Sequence, residues 1–176
     1  MPKNNQHAQF NHEKAIEVII YLAERINDPT YHSINKLLYF ADKTSLERFG
    51  RFICGETYLA MPQGPVPSNV YDLMKEAVDD GSNGFIVESQ HHVKPLRQAN
   101  LEKLSDSDIQ CLEKMIKLYG DVPYWVKRDV SHDEAYYAAW NARGNKSSVP
   151  MSIKSIAQLL EDSAELIEHL QHNNDD

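Results

Sequence analysis

After a polar first stretch, apolar residues recur at three- and four-residue spacing. Ile16, Ile19, Ile20, Ala23 and Ile26 predict a helix that starts at Asn11. Asp28-Pro29 ends it, because the residue before a proline is driven out of the helical region. Ser33 is placed to cap a second helix, with Ile34, Leu37, Leu38, Ala41 and Leu46 as its apolar stripe and Gly50 as its stop. From Arg51 to Ala60 the period changes, and Phe52-Ile53 and Thr57-Tyr58-Leu59-Ala60 read as short β-prone pieces. Met61 to Pro67 holds three prolines and one glycine in seven residues, which predicts a rigid turn. Ser68 then caps a helix through Val70, Tyr71, Met74 and Val78 that stops at Asp80-Gly81.

Phe85 to Val87 and His92 to Leu96 predict the two strands of a hairpin. Ser105, with Asp108 three residues on, is a capping box for a helix lined by Ile109, Leu112, Met115, Ile116 and Tyr119 and closed by Gly120. A short helix restarts at Asp121-Val122-Pro123, and another runs from Asp133 to Trp140. A polar loop covers Gly144 to Pro150. Ser152 caps a last helix striped by Ile153, Ile156, Leu160, Ile167 and Leu170. The expected fold is mainly α with a small β element (α+β), a compact single-domain helical bundle with a short hairpin or sheet. Its expected limits are a flexible leader over 1–10, one domain over 11–171 and an acidic tail over 172–176.

Composition narrows the function classes. The 176 residues carry 18 Lys+Arg against 26 Asp+Glu, a net charge of −8, the opposite of what tracking a phosphate backbone requires. No basic helix or helix-turn-helix stands out for a DNA-binding autorepressor, and Lys114, Lys117 and Lys127-Arg128 come nearest to a basic patch. The charge is uneven: Ser152 to Asp176 holds one base against six acids, which leaves 17 against 20 before it. No apolar run approaches the roughly 18 to 20 residues that span a bilayer, and the N-terminus lacks the apolar core of a signal peptide. Two distant cysteines, Cys54 and Cys111, suit a reducing cytoplasm.

Catalytic signatures are sparse. The sequence has no nucleophile elbow, phosphate-binding glycine loop, dinucleotide fingerprint or zincin helix. His91-His92 is expected on a strand, where neighbouring side chains point to opposite faces and serve one metal ion poorly. His169 and His172 can share a helix face but sit at the acidic end. Cys54 with His132, or His132 with Asp133, would make a nucleophile–base or acid–base pair only if the fold brings them into a pocket. Gly64, between Gln63 and Pro65, points to a backbone shape that favours glycine, in a turn that suits either binding or plain support.

The ordered run Lys36-Leu37-Leu38-Tyr39-Phe40-Ala41-Asp42, then Phe49-Gly50-Arg51, Gly55-Glu56-Thr57-Tyr58, Ala60, and Gln63-Gly64-Pro65-Val66 followed by Tyr71, resembles the Panacea domain. This is the SocA-like, phage-associated antitoxin family. Leu104-Ser105, Ser131-His132, Ala139-Trp140 and Met151-Ser152-Ile153 match its later markers, so the resemblance covers residues 12 to 160. Pro62 and Asp129-Val130 depart from the family's usual residues.

The resemblance implies the antitoxin half of a two-gene toxin–antitoxin module, prophage-associated and cytoplasmic. Such a protein neutralises a toxin by direct protein contact and needs no catalytic residue, metal or cofactor. It also implies structural or partner-binding roles for Lys36, Tyr39, Gly55, Tyr58, Gly64, Pro65, Val66, Tyr71, His132 and Trp140. A proteolytic adaptor that delivers a toxin to a cytoplasmic protease is the second reading, and a small hydrolase or metal enzyme the third. A monomer or homodimer is expected. Anchors for a partner are sought among Tyr58, Tyr71, Tyr124, Trp125, Tyr136, Tyr137 and Trp140. Adjacent aromatics on a helix diverge by about 100°, which leaves Trp125 and Tyr137 free to face outward. Glu161, Asp162, Glu165 and Glu168 form a second candidate surface, an acidic face suited to a basic toxin surface.

Overall fold

The computed structural model describes residues 9–161 and 163–175. Its first helix, α1 (His12–Arg25), starts where the pattern places it, with the Asn11 side chain accepting from the Lys14 amide. Ala15, Val18, Ile19, Ile20 and Leu22 are fully buried, so α1 is enclosed on more than one face. Phe10 already packs against the core.

The second helix, α2 (Tyr31–Phe49), is the central one, with Ile34, Leu37, Leu38, Tyr39, Ala41 and Leu46 at full burial or close to it. Its cap is Thr30 rather than the expected Ser33. The Thr30 hydroxyl accepts from the Ser33 amide, and Ser33 itself is buried inside the first turn. Gly50 stops the helix in the left-handed conformation at φ 71°.

Two small antiparallel sheets lie against these helices. In the larger, β1 (Tyr58–Met61) is the middle strand between β2 (Gly64–Pro67) and β5 (Val149–Pro150). Tyr58 pairs with Pro67 and Ala60 with Pro65 on one side, while Ala60 pairs with Val149 on the other. The segment expected to be only a turn therefore turns at Pro62-Gln63 and continues from Gly64 as an edge strand. An edge tolerates proline because one row of its backbone groups has no ladder partner. Phe52-Ile53, expected to be β-prone, lies outside every strand.

Helix α3 (Ser68–Glu76) follows β2 directly. Ser68 does not cap it. The buried Glu56 carboxylate does, accepting from the amides of Val70 at 2.7 Å and Asn69 at 3.2 Å. A carboxylate at a helix N-terminus meets unpaired N–H groups and the positive end of the dipole, which offsets its burial. The second sheet is the expected hairpin, β3 (Phe85–Val87) with β4 (Val93–Pro95).

Helix α4 (Asp106–Tyr119) carries the full Ser105/Asp108 capping box and packs along α2. Helices α5 (Tyr124–Ser131) and α6 (Glu134–Asn141) follow, with Asp133 capping α6. The expected single last helix is two: α7 (Ile153–Ala157), capped by Ser152, and α8 (Ser163–Asp175). Met151, Ile156 and Ala157 are buried. Leu166, Ile167 and Leu170 of α8 are only partly so. Among the described residues no helix is long and apolar enough to cross a membrane.

Candidate functional site

The family-like residues converge on the turn between β1 and β2. Lys36, one turn into α2, is 1% exposed, and its ammonium donates to the Pro65 carbonyl at 2.8 Å. No carboxylate meets it among the described residues, and burial pulls its pKa down to about 7. His132 and His32 lie near enough to feel its charge. Gly64 stands at φ 106°, with Ser131 and His132 so close that a Cβ would lie 2.8 Å from Ser131 Oγ. Val66 of the same strand is buried.

From His132 an aromatic ladder runs along α6. The His132 and Tyr136 rings stack at 4.4 Å, Tyr136 and Trp140 at 6.0 Å, and the Arg143 guanidinium closes the end 3.6 Å over Trp140. Tyr136 and Trp140, four apart, share one face of α6, and His132, at the end of α5, stacks onto the start of that face. Tyr136 ties the ladder back to the turn by donating to the Met61 carbonyl at 2.9 Å. Burial lowers the His132 pKa, a hydrogen bond to the Gln63 backbone opposing it, while His132 Nε2 and the Tyr124 hydroxyl are buried without a partner.

One turn further along the same face of α2, Tyr39 donates to Asp133 at 2.6 Å, and the Lys43 ammonium reaches the same oxygen at 3.1 Å. Fully buried Asp42 accepts from the Ile53 amide and the Tyr58 hydroxyl, each at 2.7 Å. With no cation beside it, burial pushes its pKa up to about 7. Gly55, at φ 69°, lies in the loop that brings Tyr58 to Asp42. Tyr71 is farther off, in an edge-on contact with Tyr31 at 5.4 Å and under the Lys75 ammonium.

The aromatic pairs split as helix geometry requires. Tyr136 is buried while Tyr137 is 46% exposed, and Trp125 is 59% exposed beside half-buried Tyr124. Tyr137 stands edge-on to His132 at 6.0 Å, so the exposed surface joins the ladder directly. Glu161, Glu165 and Glu168 are exposed, and Asp162 lies outside the described residues.

The enzyme constellations do not assemble. Cys54 is 1% exposed near Asp42 and Glu56, and burial raises its thiol pKa well above the ordinary value, which disfavours a thiolate. The two adjacent histidines are not in the hairpin strands. His92 Nε2 meets Asp28 at 2.9 Å, and His91, at φ 63°, lies over Tyr31. His172 Nδ1 contacts the Glu168 carbonyl. Among the described residues no group of three His, Cys, Asp or Glu is placed to hold a metal ion. Lys127, considered for a basic patch, is buried and donates to the Tyr119 and Val122 carbonyls. Asp42 was expected only as part of the family-like run and Asp133 only as an acid–base partner of His132, while Tyr136 was among the anchors sought for a partner. For Tyr136 a signal existed, the spacing of four from His132 and to Trp140.

Residues 34–141 match the family described as antitoxin SocA-like, Panacea domain. The chain belongs to that family. The match spans α2 through α6 and so contains the whole hub of Lys36, Gly64, Pro65, His132 and Trp140, while β5, α7 and α8 lie beyond it. Neither the curated proteins nor the solved structures compared with the chain gave a match. The family places the protein among antitoxins, whose role implies a toxin as partner.

Proposed function

We propose that this Panacea-domain protein neutralises a toxin protein by direct, non-enzymatic contact in the cytoplasm, and that the α5–α6 face around Trp125 and Tyr137 is the contact surface. The observation that carries the reading is the exposure of two large aromatic side chains, 59% and 46%, against a rigid buried hub. Tyr and Trp give large contact area at a small cost in side-chain entropy, and they dominate binding hot spots. The ladder behind Tyr137 fixes its ring before the partner arrives, which lowers the ordering cost of binding. The inaccessible Cys54 thiol supports the non-enzymatic side of the reading.

The acidic outer face of α8 serves as a second, steering surface for a toxin with a basic active site. Glu165 and Glu168 on α8, with Glu161 just ahead of it, are exposed and meet no cation among the described residues. Rim charges of this kind act on association rate more than on affinity.

The test is co-expression with the product of a neighbouring open reading frame that arrests growth on its own. Rescue by the wild-type chain, with toxin recovered intact in a stable complex, supports the reading. Loss of rescue in Trp125→Ala/Tyr137→Ala with the fold unchanged places the contact on this face. Protease-dependent disappearance of the toxin would point to an adaptor instead.

A further inference from the structure

Lys36 is a costly residue to bury. An ammonium taken out of water loses hydration that a buried partner must return. Here the groups facing it are His32 one turn back on α2, His132 at the α5–α6 junction and the Pro65 carbonyl of β2. None is an anion. A methionine would fill the same space without the penalty, so stability alone does not explain a lysine at this position.

What Lys36 has is a grip. Its hydrogen bond ends on an edge strand that pairs with β1 alone, so the bond holds β2 from the side the sheet leaves open. The β1–β2 turn meets the α5–α6 side at two points, and His132 carries the contact on to Tyr137. Gly64 is in contact with Ser131 and His132, Met61 at the turn accepts from Tyr136, and His132 meets Tyr137 edge-on.

We infer that Lys36 is a positioning residue: its bond to Pro65 latches the β1–β2 turn to α2 and thereby holds the His132–Tyr136–Trp140 ladder, with Tyr137 beside it, in the arrangement a partner meets. The geometry stands by itself; its consequence for binding rests on the toxin-contact reading above. Removing the latch leaves the core intact and relieves a buried charge. It frees the turn and lets the ladder shift.

The experiment separates presentation from stability. The chain has two tryptophans, so Trp125→Phe leaves Trp140 as the sole reporter of the ladder. In that background Lys36→Met is compared with its parent by urea unfolding, acrylamide quenching of Trp140 and hydrogen exchange over residues 59–67. The expected result is a cooperative transition at an equal or higher urea midpoint, with Trp140 quenching raised about twofold and faster exchange in the turn.

An earlier midpoint with unchanged Trp140 quenching, no change in either, or failure to fold cooperatively would each overturn the latch, because Lys36 would then be an ordinary stability element or idle. In the otherwise wild-type chain, Lys36→Met should bind the growth-arresting neighbour's product about tenfold more weakly. If the wild-type chain does not bind that product, the toxin-contact reading fails while the quenching result still decides the latch.

Discussion

Gly64→Ala probes the hub at its tightest point. At φ 106° the backbone lies where side chains are disfavoured, which costs an alanine about 1–2 kcal/mol. Its Cβ would also sit 2.8 Å from Ser131 Oγ and 2.9 Å from His132 Cδ2. Neither neighbour moves freely, since the Ser131 hydroxyl donates to the Arg128 carbonyl and His132 is stacked on Tyr136. Overpacking of this kind costs about 1–3 kcal/mol more. The sum is about 2–5 kcal/mol, or roughly 4–20 °C in Tm for a chain of this length. Gly144 is the internal control: its φ is 63° and nothing lies within 4 Å of a Cβ built there, so Gly144→Ala should cost only about 1 kcal/mol. Urea unfolding of both variants beside the wild type gives the two values directly. If Gly64→Ala falls within about 0.5 kcal/mol of Gly144→Ala, the packing of this turn against the α5–α6 junction is not what the account requires.

Two further outcomes follow from particular groups. Asp42 has its pKa raised to about 7, so its contribution to stability is fully present below the unfolded-state value and is lost as pH rises through about 7. Asp42→Asn should remove that decline. The stability difference, variant minus wild type, should grow between pH 5 and 7 by up to about 1.4 kcal/mol per pH unit, and a pH-independent difference in chemical denaturation would contradict the assignment. Deleting residues 161–176 removes α8, none of whose residues from Ser163 to His172 is fully buried. The shortened chain should stay folded with a loss under about 2 kcal/mol, while its association with a basic toxin slows and loses salt dependence; an unchanged association rate in stopped flow would remove α8 from the steering role.

Several parts of this fold were legible in the sequence because they are local. The period of α1, the Ser105/Asp108 capping box, the stop at Gly50 and the β3–β4 hairpin all depend on residues a few positions apart. The misreadings share a different cause. Met61 to Pro67 looked like a turn because proline forbids a central strand, yet β2 is an edge strand whose missing N–H groups leave no gap in the ladder. Thr30 and Ser33 are both good caps, and the choice of Thr30 follows from its extended backbone after Pro29. Ser68 was displaced as a cap by Glu56, twelve residues earlier in the chain.

The candidate site was legible as a set of motif residues and illegible as a geometry. Nothing local to Lys36 announces that it is buried, because its acceptor is 29 residues away at Pro65. Asp42 reads as an ordinary polar position until the loop carrying Ile53 and Tyr58 closes over it. The exposure of Trp125 and Tyr137 was expected from the angle between helical neighbours, whereas the stacked row that supports Tyr137 appears only once His132, at the end of α5, is seen to stack on Tyr136 of α6.

The central claim is that this Panacea-domain chain binds a toxin through the α5–α6 face. Titration calorimetry of the purified chain against the product of the neighbouring growth-arresting frame, with Trp125→Ala/Tyr137→Ala beside it, tests that claim most directly. The account predicts a stable complex for the wild type and an affinity lowered by about 2 kcal/mol or more in the double variant, with its unfolding midpoint unchanged. No complex with the wild type, or equal affinity in both, would contradict it.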